Sequence, residues 1–445
     1  MKVFILTLIT TLVSISVTAQ QAESMTLEEC VTYALENNEL GKIAALEKEL
    51  AAGEVRKTVG TGLPQVEINS GFNYNYEVQQ SLIDVSNFDP SAPPGTEVPV
   101  AFGQAYDANM VLSARQLLFD GSFFVGLQAA KTYQELSSKE LVSTEIDIVE
   151  AVSKAYYSVL ISQERLELVD KNYQRLDSLL RETTAMYENG FVEKIDVDRI
   201  QVNFNNLKVE LDQLRQLVEI SNNLLKFQMG MSLTTPLELT ETLDELSPEK
   251  MVISPDFLYD DRIEISQLAT NEELVNLDIR NNKAQYLPKL YANLSYGANT
   301  AAPDFSDVFQ SNRWFSFGAI GVTLNIPIFN GFIKQTQLQQ NQIQLDQLQA
   351  RREMLMKNID LEIQQSTIDL NANVEALAVQ EQNMTLADDI FRITQTKYRE
   401  GVGSNLEVMD ADAALKEAQT NYFGALYDAV IAHIELKKAL GTLHQ

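Results

Sequence analysis

Apolar residues recur at steps of three and four along two long stretches of the chain, and the second stretch repeats the first. Steps of this kind form the heptad seam of helices that pack side by side. The first seam is Ile200, Phe204, Leu207, Leu211, Leu214, Val218 and Leu225, and adding 211 gives Ala411, Leu415, Ala418, Tyr422, Ala425, Ala429 and Leu436. Tyr187 and Gly190 fall on Tyr398 and Gly401 at the same offset. The pattern therefore predicts a tandem duplication of one long helical hairpin.

Two shorter regions alternate apolar and polar residues, which is the period of a β-strand. The alternation fills a predicted strand hairpin at about residues 65–119 and another at about 289–329. Each hairpin has an apolar, aromatic face and a polar face, although the polar face is less polar in the second hairpin. The apolar face would be core in a soluble sandwich, whereas in an outer-membrane barrel it would face lipid while the polar face lined water. Residues 78–104 contain several prolines and are predicted to form an exposed loop.

The first repeat covers residues 20–230 and is predicted to be mainly helical. Its first helix begins with a capping box, in which Thr26 and Glu29 satisfy each other's backbone N–H groups. The strand hairpin is followed by a long helix at 122–187 and a return helix at 194–229.

The second repeat covers residues 263–445 and follows a linker of short elements at 231–262. It has the same order of a helix, a strand hairpin, a long helix at 332–398 and a return helix at 404–440. All 11 prolines lie outside the long helices, as helix interiors require. The predicted fold class is therefore mainly α with a small β part, built from tandem-repeat long helical hairpins and four amphipathic strands.

The first 19 residues have the features of an export signal. Lys2 supplies the positive charge, an apolar stretch follows, and small residues precede a predicted cleavage after Ala19. No later run of about 20 apolar residues predicts a transmembrane helix, so a membrane-spanning form would have to be a closed barrel. The net charge of −28, from 62 acidic and 34 basic residues, disfavours nucleic-acid binding and suits a lumen that attracts cations.

The number of predicted strands limits how the chain can span a membrane. Four strands cannot close a barrel, because the smallest common closed barrels have about eight. An open sheet would leave unpaired strand edges in hydrocarbon. Other copies of the chain must therefore complete the wall, and counting strands leaves a dimer and a trimer open.

The order of motifs resembles that of the TolC family of outer-membrane efflux proteins over essentially all of the mature chain. The matching motifs are the strand entries Leu63-Pro64 and Leu287-Pro288, the strand exits Phe119-Asp120-Gly121 and Phe329-Asn330-Gly331, and the two Tyr-x-x-Gly turns. Singly these motifs are weak, but their repetition in order is specific.

This resemblance implies a homotrimer with a 12-stranded outer-membrane β-barrel and a helical tunnel in the periplasm. It implies a channel-tunnel component of a tripartite efflux or type I secretion system, in contact with outer-membrane lipid. The helical tip would dock to a periplasmic adaptor (membrane fusion) protein that connects it to an inner-membrane transporter.

The resemblance also implies that the turns near 187–196 and 398–410 form the periplasmic entrance. The family's acidic rings fall on Glu407 and Asp410, which lie three apart and hence on one helix face. A ring of their carboxylates would attract cations. The simpler interpretation is a solvated first turn, because acidic residues are ordinary near a helix N-terminus.

Asp196 matches an acidic position that ties the closed entrance together in the family. The usual arginine partner falls on Gly403, so Lys194 or Arg399 would have to replace it. Tyr187 and Tyr398 would either latch neighbouring helices or be plain seam residues. Glycines 190 and 401 are predicted to end the long helices in left-handed conformations.

Motifs for catalysis or metal binding do not occur in the sequence. It contains no HExxH, paired CxxC, GxSxG or phosphate-cradling glycine loop, and structural roles are predicted for Cys30, His433 and His444. The protein is therefore not expected to be an enzyme or to need a cofactor or metal. The alternatives are a periplasmic adaptor-like coiled-coil protein without a membrane span, and an exported enzyme or structural coiled coil.

Overall fold

The computed structural model describes residues 23–88, 91, 93–241 and 257–443. The predicted signal peptide, the centre of the predicted linker and His444 lie outside the described residues. The chain divides into two compact units, one of Met1–Leu46, Lys139–Ser266 and Glu353–Gln445 and the other of Glu47–Ser138 and Gln267–Arg352. Each unit takes segments from both sequence repeats, so the units do not coincide with the repeats.

The helices begin and end close to the positions that the sequence predicts. Their bounds are α1 Leu27–Asn37, α2 Glu39–Thr61, α3 Gly121–Glu188, α4 Lys194–Met229, α5 Ile263–Ala284, α6 Ile333–Arg399 and α7 Asn405–Ala439. The capping box of Thr26 and Glu29 is present at the start of α1, with both of its reciprocal hydrogen bonds. Within the described part of the chain, no helix has the length and apolar character needed to cross a membrane.

The first unit has a core formed by α3, α4, α6 and α7, which pack along the predicted seams. The seam residues Ile200, Leu207, Leu211, Leu214 and Leu225 of α4 are buried, as are Ala411, Leu415, Ala418, Ala429 and Leu436 of α7. Phe391 of α6 and Leu179 of α3 complete the core nearest the turns. The predicted heptad seams are therefore confirmed.

The second unit contains an antiparallel sheet with the strand order β2–β5–β7–β8. The strands found in the described residues are β1 Glu23–Met25, β2 Gln65–Tyr74, β3 Gln80–Asp84, β4 Glu97–Ala101, β5 Tyr106–Phe119, β6 Leu237–Leu239, β7 Lys289–Ala302 and β8 Phe315–Asn325. The sheet does not close on itself, because β2 and β8 lie at its two edges. The predicted exposed loop at 78–104 is mostly exposed in its described residues, but the prediction missed the pairing of β3 with β4 there.

The register of the sheet gives it one apolar and one polar face, as predicted. Ile68, Leu112 and Tyr296 lie directly opposite one another across β2, β5 and β7 and share the apolar face. Their sequence neighbours Asn69 and Val111 lie on the other face. Because side chains alternate along a strand, this register assigns the positions up to Leu117 of β5 to a face, and an irregularity between Leu117 and Phe119 interrupts the alternation at the end of that strand.

Candidate functional site at the helical turns

The turns that follow α3 and α6 have the same backbone structure. Gly190 and Gly401 adopt positive φ angles of 78° and 75°. In each turn the N–H of the next residue donates to a carbonyl five positions earlier, Phe191 to Met186 at 2.9 Å and Val402 to Lys397 at 3.0 Å. These bonds satisfy helix-end carbonyls in the Schellman arrangement, which favours glycine because the left-handed conformation costs other residues free energy.

Asp196 is held by a residue that the sequence did not single out. Asn405, the first residue of α7, donates from its side-chain nitrogen to the Asp196 carbonyl oxygen at 2.8 Å and to the Asp196 carboxylate at 3.1 Å. The Asn405 side chain is buried, whereas Asp196 is half-buried and also lies 3.9 Å from the guanidinium of Arg199. Asp196 therefore has an amide partner within its own chain.

The predicted replacements for the missing arginine do not occupy that role within the chain. Arg399 forms a two-bond ion pair with Glu182 of α3, at 2.9 and 3.1 Å, and Lys194 is exposed at the start of α4. A side chain at Gly403 would place its Cβ only 3.1–3.2 Å from the last turn of α6. The close packing of Gly403 against that helix explains why a small residue stands there.

Glu407 and Asp410 are both exposed on the first turns of α7. Ser404 caps this helix by accepting a hydrogen bond from the Glu407 N–H at 3.2 Å. The next residues inward, Val408 and Met409, are buried, so the two carboxylates project away from the packed side of the helix. Carboxylates in this position are favourable with the helix dipole, and they form an acidic patch beside the turn.

The two tyrosines of the turns have different surroundings. Tyr398 is buried beside Thr183, whereas Tyr187 is 42% exposed. Burial raises the pKa of the Tyr398 hydroxyl, and the negative charge of Asp196 raises it further. The two turns therefore differ in the surroundings of their tyrosines.

Each turn also exposes two apolar side chains at equivalent positions. Phe191 and Ile195 are 80% and 50% exposed, and Val402 and Leu406 are 78% and 54% exposed. They are related by the offset of 211 that relates the seams, which was the sequence signal for them. Exposed apolar side chains grouped in this way are typical of surfaces that bind another protein.

The described residues contain no cluster of His, Cys, Asp or Glu that could hold a metal ion. Cys30 is fully buried, and burial together with nearby carboxylates raises the pKa of its thiol to about 12. His433 is half-buried on α7, and burial followed by the positive charge of Lys437 lowers the pKa of its imidazole.

Known proteins match both the sequence and the fold. The family described as outer membrane efflux protein matches residues 31–231 and 259–442. A probable efflux pump outer membrane protein, TtgC of Pseudomonas putida, is 26% identical over 344 residues, covering 76% of this chain and 69% of its own length. The outer membrane protein TolC of Vibrio cholerae is 21% identical over 432 residues, covering 94% and 91%. The solved structure of CusC matches with a TM-score of 0.72 at 18% identity and covers 94% and 92%, which shows the shared fold.

The class of protein defined by these matches is an outer-membrane channel whose helical tunnel lies in the periplasm. Since the family model covers most of the sequence, the chain belongs to the outer membrane efflux protein family. It passes substrates outward across the outer membrane, and the alternative of an adaptor without a membrane span has no support among the matches.

Proposed function

We propose that three copies of the chain close one barrel and one tunnel, which acts as a conduit and not as an enzyme. The observation that carries this proposal is the open four-stranded sheet, whose edge strands β2 and β8 lack partners on their outer sides within the described residues. An open edge with an apolar face is unfavourable in hydrocarbon, since every backbone group there needs a partner. Strand β8 of one copy pairing with β2 of the next satisfies both edges.

Exposed apolar seams on two helices support the same assembly. On α4 five of the exposed apolar residues recur at steps of seven, seven, eleven and seven: Ile195, Val202, Val209, Ile220 and Phe227. On α6 six of the exposed apolar residues recur at steps of seven, seven, eleven, seven and seven: Met354, Leu361, Ile368, Val379, Leu386 and Ile393. Seams with this spacing are the kind that neighbouring helices bury in coiled assemblies. Packing between copies would remove both seams from water.

The helical turns form the periplasmic entrance in this proposal. Three copies would bring six carboxylates of Glu407 and Asp410 together, and such a ring favours cations over anions. The apolar pairs of the turns, Phe191 with Ile195 and Val402 with Leu406, would dock a periplasmic adaptor that connects the tunnel to an inner-membrane transporter. Tyr187 and Tyr398 would contribute to the closed form of the entrance.

The internal duplication predicts how β8 and β2 would pair between copies. Inside the chain, Arg115 of β5 lies opposite Asn293 of β7. Equivalent residues of the two repeats differ by 210 in number at the strand exits and by 224 at the strand entries. Arg115 therefore corresponds to Asn325, and Asn293 corresponds to Asn69. The equivalent pair between copies is Asn325 with Asn69. Residues directly opposite in an antiparallel pair have Cα atoms about 4.5–5.5 Å apart, which a disulfide can bridge.

The test is oxidative crosslinking of the variant with Asn69→Cys and Asn325→Cys in isolated outer membranes. We expect a ladder that ends at three linked chains in denaturing gels. The matched control is Asn73→Cys with Asn325→Cys, because its partners would lie four residues apart along the strand, about 13 Å. A water-soluble monomer, or a ladder ending at two, would contradict the trimer.

A further inference from the structure

Two phenylalanines lie on the polar face of β8, which lines water in a channel of this class. Phe315 is 69% exposed and Phe317 is 43% exposed. The pairing of β7 with β8 has no register break, and it places Phe315 opposite Asn299. Both rings therefore share the face of the asparagines and not the apolar face that carries Ile320.

One of the two rings has a structural role within the sheet. A Cβ atom added to Gly297 would lie 3.1 Å from Cζ of Phe317, so this ring lies across the glycine that is paired with it. An aromatic ring that covers a strand glycine stabilises the sheet. Phe315 makes no such contact, because its partner on β7 is Asn299 and its ring is mostly exposed.

The polar face is divided between a charged half and a neutral half. Strands β2 and β5 carry Glu67, Asp107 and Arg115 on this face, which gives two negative charges and one positive charge. Beyond Lys289, which pairs with Asp120 at 2.9 Å, the same face of β7 and β8 has no charged residue. The guanidinium of Arg115 lies 3.9 Å from the centroid of the Tyr291 ring on β7, and the two phenylalanines lie toward the other end of the neutral strands, beside a half with a net negative charge.

Accepting the proposed function, we propose that this face is a weak binding site for solutes that combine a positive charge with an aromatic or apolar body. Phe315 and Phe317 contact the apolar body and can also face the cation. Asp107, two strands across and two residues along at about 12 Å, and Glu67 act through their field and not by contact. Weak binding of this kind suits conduction, which requires that a solute can both enter and leave.

The test uses the full-length protein in planar bilayers and two probes of equal charge. Benzyltrimethylammonium carries an aromatic ring, and tetramethylammonium does not. We expect the first probe to reduce the potassium current at a concentration about fivefold lower than the second, which is the ratio typical of one aromatic contact. Benzenesulfonate, with the ring but the opposite charge, should block less than either cation.

The decisive variant combines Phe315→Asn with Phe317→Leu. Asparagine continues the polar face, while leucine keeps an apolar cover on Gly297 so that the sheet is preserved. In this variant the two cations should block at about the same concentration, so the ratio of their blocking concentrations should fall to about one. It should remain unchanged in the control Phe309→Asn, which removes a ring that is 72% exposed outside β8.

The outcomes separate this proposal from the one it rests on. Channels that conduct normally but keep the wild-type ratio after both substitutions would overturn the aromatic site and leave the conduit intact. Equal block by benzenesulfonate would overturn the preference for cations. A wild-type protein that forms no channels at all would overturn the conduit and this site together.

Discussion

Asn405 binds Asp196 through two hydrogen bonds from a single side-chain nitrogen, one to its carbonyl oxygen and one to its carboxylate. The contact joins the first turn of α7 to the first turn of α4. Its donor is buried, so removal of the amide would leave the Asp196 groups without that partner.

We therefore expect Asn405→Ala to weaken the packing of the two return helices at the turns. The loss should be about 1–2 kcal/mol, since a hydrogen bond to a charged group is lost from a buried site. Hydrogen exchange of amides near 196–200 and 405–410 should become faster. The control is Asn205→Ala, which removes an exposed amide from α4 and should leave exchange in these segments unchanged.

The acidic patch on α7 should control ion selectivity. Replacing Glu407 and Asp410 by alanine should shift the reversal potential in a salt gradient toward that of a non-selective pore, because the carboxylates that attract cations are gone. Glu219→Ala, which removes an exposed carboxylate far along α4, is the matched control. An unchanged reversal potential in the double variant would remove the proposed ring while leaving the conduit.

The turn glycines should not tolerate a side chain. Gly190→Ala and Gly401→Ala should each lower the free energy of unfolding by about 1 kcal/mol, because φ is positive at both positions. Gly424 lies inside α7 with open space around its Cα, so Gly424→Ala should have the opposite sign and stabilise by about 0.5–1 kcal/mol. Thermal unfolding midpoints of the three variants test this prediction. A change in the same direction in all three variants would contradict it.

A buried arginine fixes the start of α5 to the end of α7. The Arg262 side chain is 6% exposed and binds the Ala439 carbonyl oxygen, Glu264 and Glu362. Arg262→Met should destabilise the protein by about 2 kcal/mol, because it removes a buried hydrogen bond to the Ala439 carbonyl and two ion pairs whose carboxylates are 36% and 41% exposed.

Arg215 offers the comparison for that network, since its exposed ion pair with Asp212 should contribute less than about 1 kcal/mol. Denaturation of Arg215→Met and Arg262→Met side by side measures the difference. Equal stability of the two variants would show that the Arg262 bonds do not matter to folding.

His433 should make stability depend on pH. Its folded pKa is lowered, so the unfolded chain binds more protons as pH falls from the ordinary histidine value toward the folded one. The contribution of neutral His433 to the free energy of unfolding is therefore complete above the ordinary histidine pKa. It is lost as the pH falls toward the lowered pKa of the folded protein. As the pH falls from 7.5 to 5.5, the thermal unfolding midpoint of His433→Asn should fall less than that of the wild type. Equal falls in the two proteins would contradict a lowered pKa for His433.

Regular spacing made much of the fold predictable. The buried seam of α4 and the alternating faces of β5 followed from periods that persist over many residues, and the capping box followed from a fixed spacing of three. The β3–β4 hairpin was missed because its strands have five residues each and Pro99 lies inside one of them.

The candidate site was less accessible to prediction because its contacts are not periodic. Asn405 and Asp196 are 209 positions apart, and only the fold brings them into contact. Arg399 could be named as a candidate from its charge, but only the fold directs it to Glu182. The partners of Asp196 and Arg399 therefore depend on local packing, which residue types alone do not predict.

The two turns have the same backbone structure but different side chains. This difference affects how many copies of a partner a trimer could bind. A trimer would present six such tips of two alternating kinds, one with Phe191 and one with Val402. A partner that requires the larger phenylalanine ring would occupy three of them, whereas a partner satisfied by either side chain would occupy all six.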